Sequence, residues 1–405
     1  MCLDFFRLWV KRDRRKGARK GMEIFIDGER KFADLRSEMV RARQYIHIQY
    51  YIIKNDEVFH SMIPILEQKA AAGVRVRILY DSMGCYRMPP KVWRYLRNHG
   101  IAVRAFRSKL NYRNHRKIVV IDGKIGYLGG FNIGKEYISR DVKFGHWRDT
   151  HLKLRGSVVR ELEKWFVRDW KMEGRVHAWQ WRTFHMRGAF ALGKRHLGKT
   201  VKMYTANLGK SVEDNLEGNK PIKFHPVKII ASGPDAHRYG IRNAYLRLFR
   251  SARCHIYIQT PYFVPDRPIL TALQTAAASG IDVRLMIPCK PDHPFVYWGT
   301  WYYMGQILKA GARCFLYENG FLHAKEVLVD GTVASCGTAN MDIRSFRLNY
   351  EINAVIYDAE AVKELENIFQ KDLQNCREIT WEEYQKRGWN IRVKQGFSRL
   401  LSPLL

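Results

Sequence analysis

The sequence predicts an α/β protein of two similar lobes, each a mainly parallel mixed sheet flanked by helices, related by a pseudo-two-fold axis. Three observations predict it. First, one spaced motif occurs twice, as His115, Lys117, Asp122, Gly129-Gly130 and Asn132, then as His323, Lys325, Asp330, Gly337-Thr338 and Asn340, with identical intervals. Second, the repeat extends beyond the motif: Ala42-Arg43 through Gln49 matches Ala252-Arg253 through Gln259, and Gly73 through Arg77 matches Gly280 through Arg284. Third, short β-branched stretches alternate with helical patterns in each half, which implies sheets covered on both faces. A period this long means duplication of a whole lobe, not a solenoid.

In chain order, residues 1–21 form a short apolar run followed by a basic cluster. Residues 22–170 make the first lobe, 171–226 a linker that breaks the repeat, and 227–405 the second lobe with a C-terminal extension. Within the first lobe, residues 45–53 and 74–80 are apolar and β-branched, so they read as buried strands. Residues 57–72 carry apolar positions at helical spacing and read as one helix. Residues 117–122 and 125–128 flank Gly123-Lys124, a strand, tight turn and strand with the histidine just before the first. Residues 323–335 repeat that arrangement. The motif side chains therefore belong at strand ends, where open α/β sheets place their ligands.

Charge narrows the setting. The chain has 70 Lys+Arg against 39 Asp+Glu, a formal excess of +31, which points to a polyanionic partner, nucleic acid or an anionic membrane surface. Seven scattered cysteines with no C-x-x-C pair suit a reducing cytosol and argue against structural zinc. No stretch approaches the ~20 apolar residues that span a bilayer. In residues 1–20 the apolar run precedes the basic cluster, the wrong order for a signal peptide; the segment reads either as an interfacial anchor or as a solvated tail. The linker carries nine basic residues between Lys171 and Lys210, with Glu173 its only acid there and Trp179, Trp181, Phe184, Phe190 and Tyr204 interleaved. That mixture suits lipid headgroups, single-stranded nucleic acid or a packing strip between lobes.

The duplicated residues suit phosphodiester chemistry. Phosphate oxygens repel a nucleophile unless their charge is neutralised as it attacks. Lys117 and Lys325 supply positive charge, and Asn132 and Asn340 supply amide donors, an oxyanion-type cradle. One neutral histidine can attack phosphorus and become a phosphohistidine. The other, protonated, gives its proton to the leaving alkoxide and later takes one from the incoming alcohol. This chemistry requires neither metal nor cofactor. Each imidazole needs its second nitrogen held by an acceptor, and aligning the strands near 150–154 and 352–356 sets Asp149 opposite Glu351 for that task. Asp122 and Asp330 then fix the neighbouring loop and lysine. His47, His60, His99 and His255 read as ordinary core or surface residues.

These residues resemble the phospholipase D superfamily, and finer wording is similar to its bacterial cardiolipin synthases. The phrases that carry the likeness are Gly129-Gly-Phe-Asn-Ile-Gly134, Trp147-Arg-Asp-Thr-His151, Ser232-Gly-Pro-Asp235, Gly337-Thr-Ala-Asn-Met-Asp-Ile-Arg-Ser-Phe346 and Leu348-Asn-Tyr-Glu351, with the ending Arg399-Leu-Leu-Ser-Pro-Leu-Leu405. The resemblance implies two phospholipase D-like lobes and phosphatidyl transfer between two phosphatidylglycerol molecules, giving cardiolipin and glycerol. It also implies His115 as nucleophile and His323 as general acid. Hydrolysis of a phospholipid or nucleic-acid backbone is the alternative. The partners implied are phosphatidylglycerol and an anionic membrane surface, with no obligatory nucleic acid. Many members carry two N-terminal transmembrane helices and this sequence shows none, so the expected setting is peripheral, on the cytoplasmic face of the cytoplasmic membrane.

Overall fold

Two Asp-Gly turns set the central hairpin of each lobe. Asp122 and Asp330 both have φ 52°, and Gly123 and Gly331 both have φ 62°, the paired left-handed conformation of a tight hairpin. Each aspartate also ties the hairpin to a neighbouring strand. Asp122 accepts the backbone N–H groups of Arg43, Gln44 and Tyr45 at 2.8, 2.8 and 2.9 Å. Asp330 accepts those of Arg253, Cys254 and His255 at 2.7, 2.8 and 2.8 Å. The expectation that these aspartates also fix the motif lysines is corrected. Lys117 stands beyond the far end of a four-residue strand, roughly 16 Å from Asp122 at ~3.3 Å per residue.

The computed structural model describes residues 21–106, 111–185, 226–235, 240–290 and 292–401. Residues 1–20 and most of the aromatic, basic linker, 186–225, lie outside the described residues. Lobe one runs β1 (Met22–Phe25), α1 (Gly28–Arg41), β2 (Tyr45–Tyr50), α2 (Glu57–His60), α3 (Ile63–Ala71), β3 (Arg75–Asp81), α4 (Pro90–Asn98), β4 (Ala102–Phe106), β5 (Arg113–Asn114), β6 (Ile118–Ile121), β7 (Ile125–Gly129), β8 (Trp147–Arg148), β9 (His151–Arg155) and α5 (Val158–His185). Lobe two runs β10 (Val227–Ser232), α6 (Gly240–Ser251), β11 (His255–Gln259), β12 (Phe263–Val264), α7 (Arg267–Ala278), β13 (Asp282–Pro288), α8 (Pro294–Leu308), β14 (Arg313–Tyr317), β15 (Phe321–Leu322), β16 (Glu326–Val329), β17 (Val333–Gly337), β18 (Met341–Asp342), α9 (Ile343–Arg347), β19 (Asn349–Ile356) and α10 (Ala359–Leu373). The extension adds β20 (Cys376–Ile379), α11 (Trp381–Gln385) and α12 (Trp389–Leu401). Aspartates begin several of these helices: Asp27, Asp266 and Asp358 each accept a first-turn N–H, satisfying donors the helix itself leaves unpaired.

The sheets follow one plan, β1-β9-β7-β6-β2-β3-β4 and β10-β19-β17-β16-β11-β13-β14-β20. They are mixed, as expected, but the balance between neighbours differs. In lobe one β2, β3 and β4 pair in parallel, while β2–β6, β6–β7, β7–β9 and β9–β1 are antiparallel. Helical crossovers give parallel neighbours, whereas the tight Asp-Gly hairpin forces antiparallel ones. The helix expected over 57–72 is also two helices, α2 and α3, because Pro64 at the start of α3 lacks the N–H that a continuous helix needs.

The lobes share a core. One apolar cluster runs from Ile118, Val120, Leu128 and Leu152 into Leu328, Ala334, Ile352 and Ala354, joining the hairpin faces of both sheets. Two buried arginines of lobe one bolt this seam. Arg116 donates to both oxygens of Asp169 at 2.6 and 2.8 Å and crosses to the carbonyls of Ser232 and Glu351 at 3.1 and 3.2 Å. Arg148 crosses to Asp372 at 2.9 Å. Gln49 and Gln259, which match in the repeat, donate to the same two aspartates at 2.7 and 2.8 Å. A buried pair broken from one side costs about 3–5 kcal/mol, so these contacts hold the lobes in one register.

Candidate active site

Each motif histidine sits just before the inner strand of its hairpin. Since β6 and β16 run antiparallel to β2 and β11, both histidines come out at the carboxyl edge of the parallel strands. There the lobes interlock. Strand β5 pairs with β19, and β15 with β8. The His115 N–H donates to the Tyr350 carbonyl at 3.0 Å, and the His323 N–H to the Arg148 carbonyl at 2.7 Å.

Their carboxylate partners are exchanged between lobes. His115 Nδ1 lies 3.0 Å from Glu351 of lobe two, and His323 Nδ1 lies 2.5 Å from Asp149 of lobe one. Glu351 also accepts from the Thr338 hydroxyl at 2.5 Å and Asn349 at 3.1 Å. Asp149 accepts the Thr150 N–H at 2.7 Å. The motif residue matching Thr338 is Gly130, and the difference has a steric cause: a Cβ on Gly130 would lie 2.0 Å from Asp149 Oδ1. Burial alone would raise both carboxyls. Lys325 and His323 around Asp149, and His115 and Lys117 around Glu351, outweigh it and hold both below their ordinary values.

Burial has the opposite effect on the bases. It lowers His115, with Lys117 adding to the effect against Glu351, and it takes His323 down to about 4, with help from Lys325. Both imidazoles are therefore neutral at pH 7 before substrate binds. The lysines are less fixed as charges than the sequence suggests: burial pulls Lys117 down to about 7 and Lys325 down to about 8. Lys117 Nζ donates to the His115 carbonyl at 2.7 Å, and Lys325 Nζ donates to the His323 carbonyl. Lys325 also stands 3.9 Å from Asp149.

The asparagines close the loops beside the histidines. Asn132 accepts the Ile52 N–H at 3.1 Å and donates to the Tyr137 hydroxyl at 3.0 Å. Asn340 donates to Asp342 at 3.2 Å, and its buried Oδ1 has no partner among the described residues. An amide carries two N–H donors, so each keeps one for a ligand. Asp122 and Asp330 lie apart from this constellation, at the hairpin turns. His47 is stacked on Tyr45 and Phe166, His255 pairs with Glu366 at 2.6 Å, and His60 and His99 are exposed.

Several neighbours were not legible in the motif. Tyr51 meets the His115 ring edge-on at 5.0 Å between centroids, and Trp147 stands 5.1 Å from the His323 ring. Tyr262 donates to Asp292, and Asp292 and Asp342 both act on the Lys325 charge. The unequal pairs Gly130 and Thr338, Arg116 and Ala324, and Asp149 and Glu351 were visible signals that the half-sites are not identical.

Duplicated lobes of this topology, with a histidine and lysine presented by each at a common seam, define a phospholipase D-like protein. The chain belongs to the family described as cardiolipin synthase, PLD-like domain, whose model matches residues 35–170 and 245–373. It is 42% identical to a cardiolipin synthase of Oceanobacillus iheyensis, over 95% of this chain and 75% of that protein. It is 43% identical to the major cardiolipin synthase ClsA of Bacillus subtilis, again over 95% of this chain and 75% of the relative. Among solved structures, the phosphatidylserine synthase of Haemophilus influenzae matches with a TM-score of 0.71 at 14% identity, over 96% of both chains. The polyphosphate kinase of Porphyromonas gingivalis gives a TM-score of 0.57 at 13% identity, over 94% of this chain and 54% of that one. At such identities these two share the fold alone.

Proposed function

We propose that this chain is a cardiolipin synthase that moves the phosphatidyl group of one phosphatidylglycerol to the headgroup hydroxyl of a second. The observation that carries the reading is the exchanged pair of histidine–carboxylate contacts beside two lysines, in a chain so similar to cardiolipin synthases. With Nδ1 of each imidazole committed to a carboxylate, Nε2 is left for substrate. His323 takes a proton from solvent as the phosphodiester anion binds beside it and favours the imidazolium. His115 Nε2 then attacks phosphorus, the bond to the glycerol oxygen breaks, and His323 Nε2 gives that oxygen its proton. The second phosphatidylglycerol then enters. His323 takes the proton of its hydroxyl, the oxygen attacks phosphorus, and the P–N bond breaks to release cardiolipin. Lys117, Lys325 and one N–H each of Asn132 and Asn340 take up the charge that gathers on the phosphoryl oxygens. Asp149 and Glu351 position the histidines.

The setting in this reading is peripheral, on the cytoplasmic membrane face. The +31 excess supplies attraction to anionic headgroups, and no described helix is long and apolar enough to cross a membrane. Purified protein supplied with phosphatidylglycerol vesicles should form cardiolipin and free glycerol in equal amounts, measured by mass spectrometry. Phosphatidic acid with glycerol and no cardiolipin would make the protein a hydrolase instead.

The pH dependence follows from the lysines. In the free enzyme their charge is lost as pH rises through about 7 to 8, so kcat/KM should fall over that range. A bound phosphodiester anion favours the charged lysine, so the alkaline limb of kcat should lie at higher pH than that of kcat/KM. A flat alkaline side in kcat/KM, or a kcat limb displaced downward, would contradict this assignment.

A further inference from the structure

Helix α12 lies inside out. Trp389, Val393, Phe397 and Leu400 are 77, 57, 55 and 77% exposed, while Gln395 and Ser398 are each 1% exposed. At about 100° per residue the four apolar side chains share an arc of roughly 80°, and Ile391, Gln395 and Ser398 occupy the opposite side. The helix rests on the protein through its polar face: Arg387 Nε donates to Gln395 Oε1 at 2.9 Å. A helix docked to complete a core would be turned the other way. Exposed apolar positions in so regular a row are a surface made for something other than water.

The surroundings say what that something is. Phe295 of α8, 54% exposed, stands beside Phe397 with ring centroids 6.4 Å apart. Helix α8 has no charged residue from 294 to 308 and offers half-buried Trp298, Trp301, Tyr302 and Tyr303 along the seam. Cations flank the apolar row. Lys394 Nζ lies 5.4 Å from the Trp298 ring and Arg399 5.3 Å from the Tyr302 ring, and exposed Arg392 completes the border. From residue 384 to the end of the chain there are cations and no acid. An apolar ridge with indole and phenol rings at its base and cations along its edges matches the layered chemistry of an anionic bilayer surface. The ridge also reaches the helix that follows the second motif. A cavity of about 460 Å³ at its foot is lined by Arg267, Tyr302, Ile343, Arg347 and Arg399, and Ile343 and Arg347 belong to the helix that follows motif residue Asn340.

We propose that the α8–α12 face is the membrane-docking surface of this protein, seating the ridge in the headgroup layer of an anionic bilayer so that the second motif opens toward lipid. This rests on the reading of a lipid substrate, but its test needs no turnover. Full-length protein is floated with phosphatidylcholine vesicles, with and without phosphatidylglycerol. Replacing the ridge by Trp389→Ser, Phe397→Ser and Leu400→Ser together should weaken partitioning about tenfold or more with the thermal melt unchanged, because those side chains touch water in the folded protein. Replacing the border by Arg392→Gln, Lys394→Gln and Arg399→Gln should weaken binding to anionic vesicles and flatten its salt dependence, leaving binding to neutral vesicles as it was. Unchanged partitioning of the ridge variant overturns the proposal. So does a ridge variant that binds vesicles normally but changes oligomeric state, which would assign the face to a second copy of the chain. A wild-type protein that docks through the ridge and makes no cardiolipin would leave the docking surface standing and remove the synthase reading.

Discussion

His115→Ala and His323→Ala are each expected to reduce phosphatidyl transfer by roughly 10⁵–10⁶-fold, the scale seen where two groups act as one catalytic unit. Neither half-site is a complete catalyst, since attack and proton transfer are supplied by different lobes. The two variants should nevertheless differ in what they leave behind. A lipid aryl phosphodiester has a leaving phenolate that needs no proton. With it, His323→Ala should still release one equivalent of phenol per site and then stop, with phosphorus held on His115. His115→Ala should release none. Rapid-mixing absorbance measures the burst, and mass spectrometry of an acid-sparing digest places the phosphoryl group. The reverse pattern would make His323 the nucleophile. Substantial steady turnover by either variant would remove that histidine from the proposed chemistry altogether.

How much of this was legible in the sequence depends on what spacing can encode. The duplicated motif and the strand–turn–strand around Asp122 and Asp330 were readable, because hairpin chemistry is local and Asp-Gly demands a particular turn. The alternation of strands and helices gave the α/β class. Beyond the β6–β7 hairpin it did not give the pairing of neighbours, since the antiparallel contacts of β2 with β6, β7 with β9 and β9 with β1 join segments separated along the chain. Helical apolar spacing runs on either side of Pro64, so spacing alone reads two helices as one. In the site, aligning the two halves put Asp149 and Glu351 at matching positions. The alignment could not say which histidine each one meets, because that depends on how the lobes face each other. Arg148 stood in a quoted phrase without a role, since Asp372 lies 224 residues away. Helix α12 carried no expectation from the sequence, since apolar periodicity cannot reveal that a helix is docked by its polar side.

The exchange of carboxylates makes a sharper expectation than the loss of either histidine. An ionised carboxylate at Nδ1 holds the imidazole tautomer whose Nε2 lone pair faces substrate. Asp149→Asn and Glu351→Gln should therefore each lower kcat by roughly 10³–10⁴-fold, the scale of an orienting carboxylate. Their pattern should cross the lobes. Glu351→Gln, beside His115, should lose the aryl-ester burst as His115→Ala does. Asp149→Asn, beside His323, should keep a burst without turnover. Pairing within a lobe would give the opposite result, and that outcome would refute the exchanged geometry. Gly130→Ala supplies an independent probe of the same contact. Its new methyl would lie 2.0 Å from Asp149 Oδ1, too close for the carboxylate to stay, while Glu351 sits against Thr338 on the other side of the site. The variant should then behave as Asp149→Asn does, retaining the burst and losing turnover. Loss of the burst in Gly130→Ala, with the protein still folded by its melting transition, would mean that Asp149 governs His115.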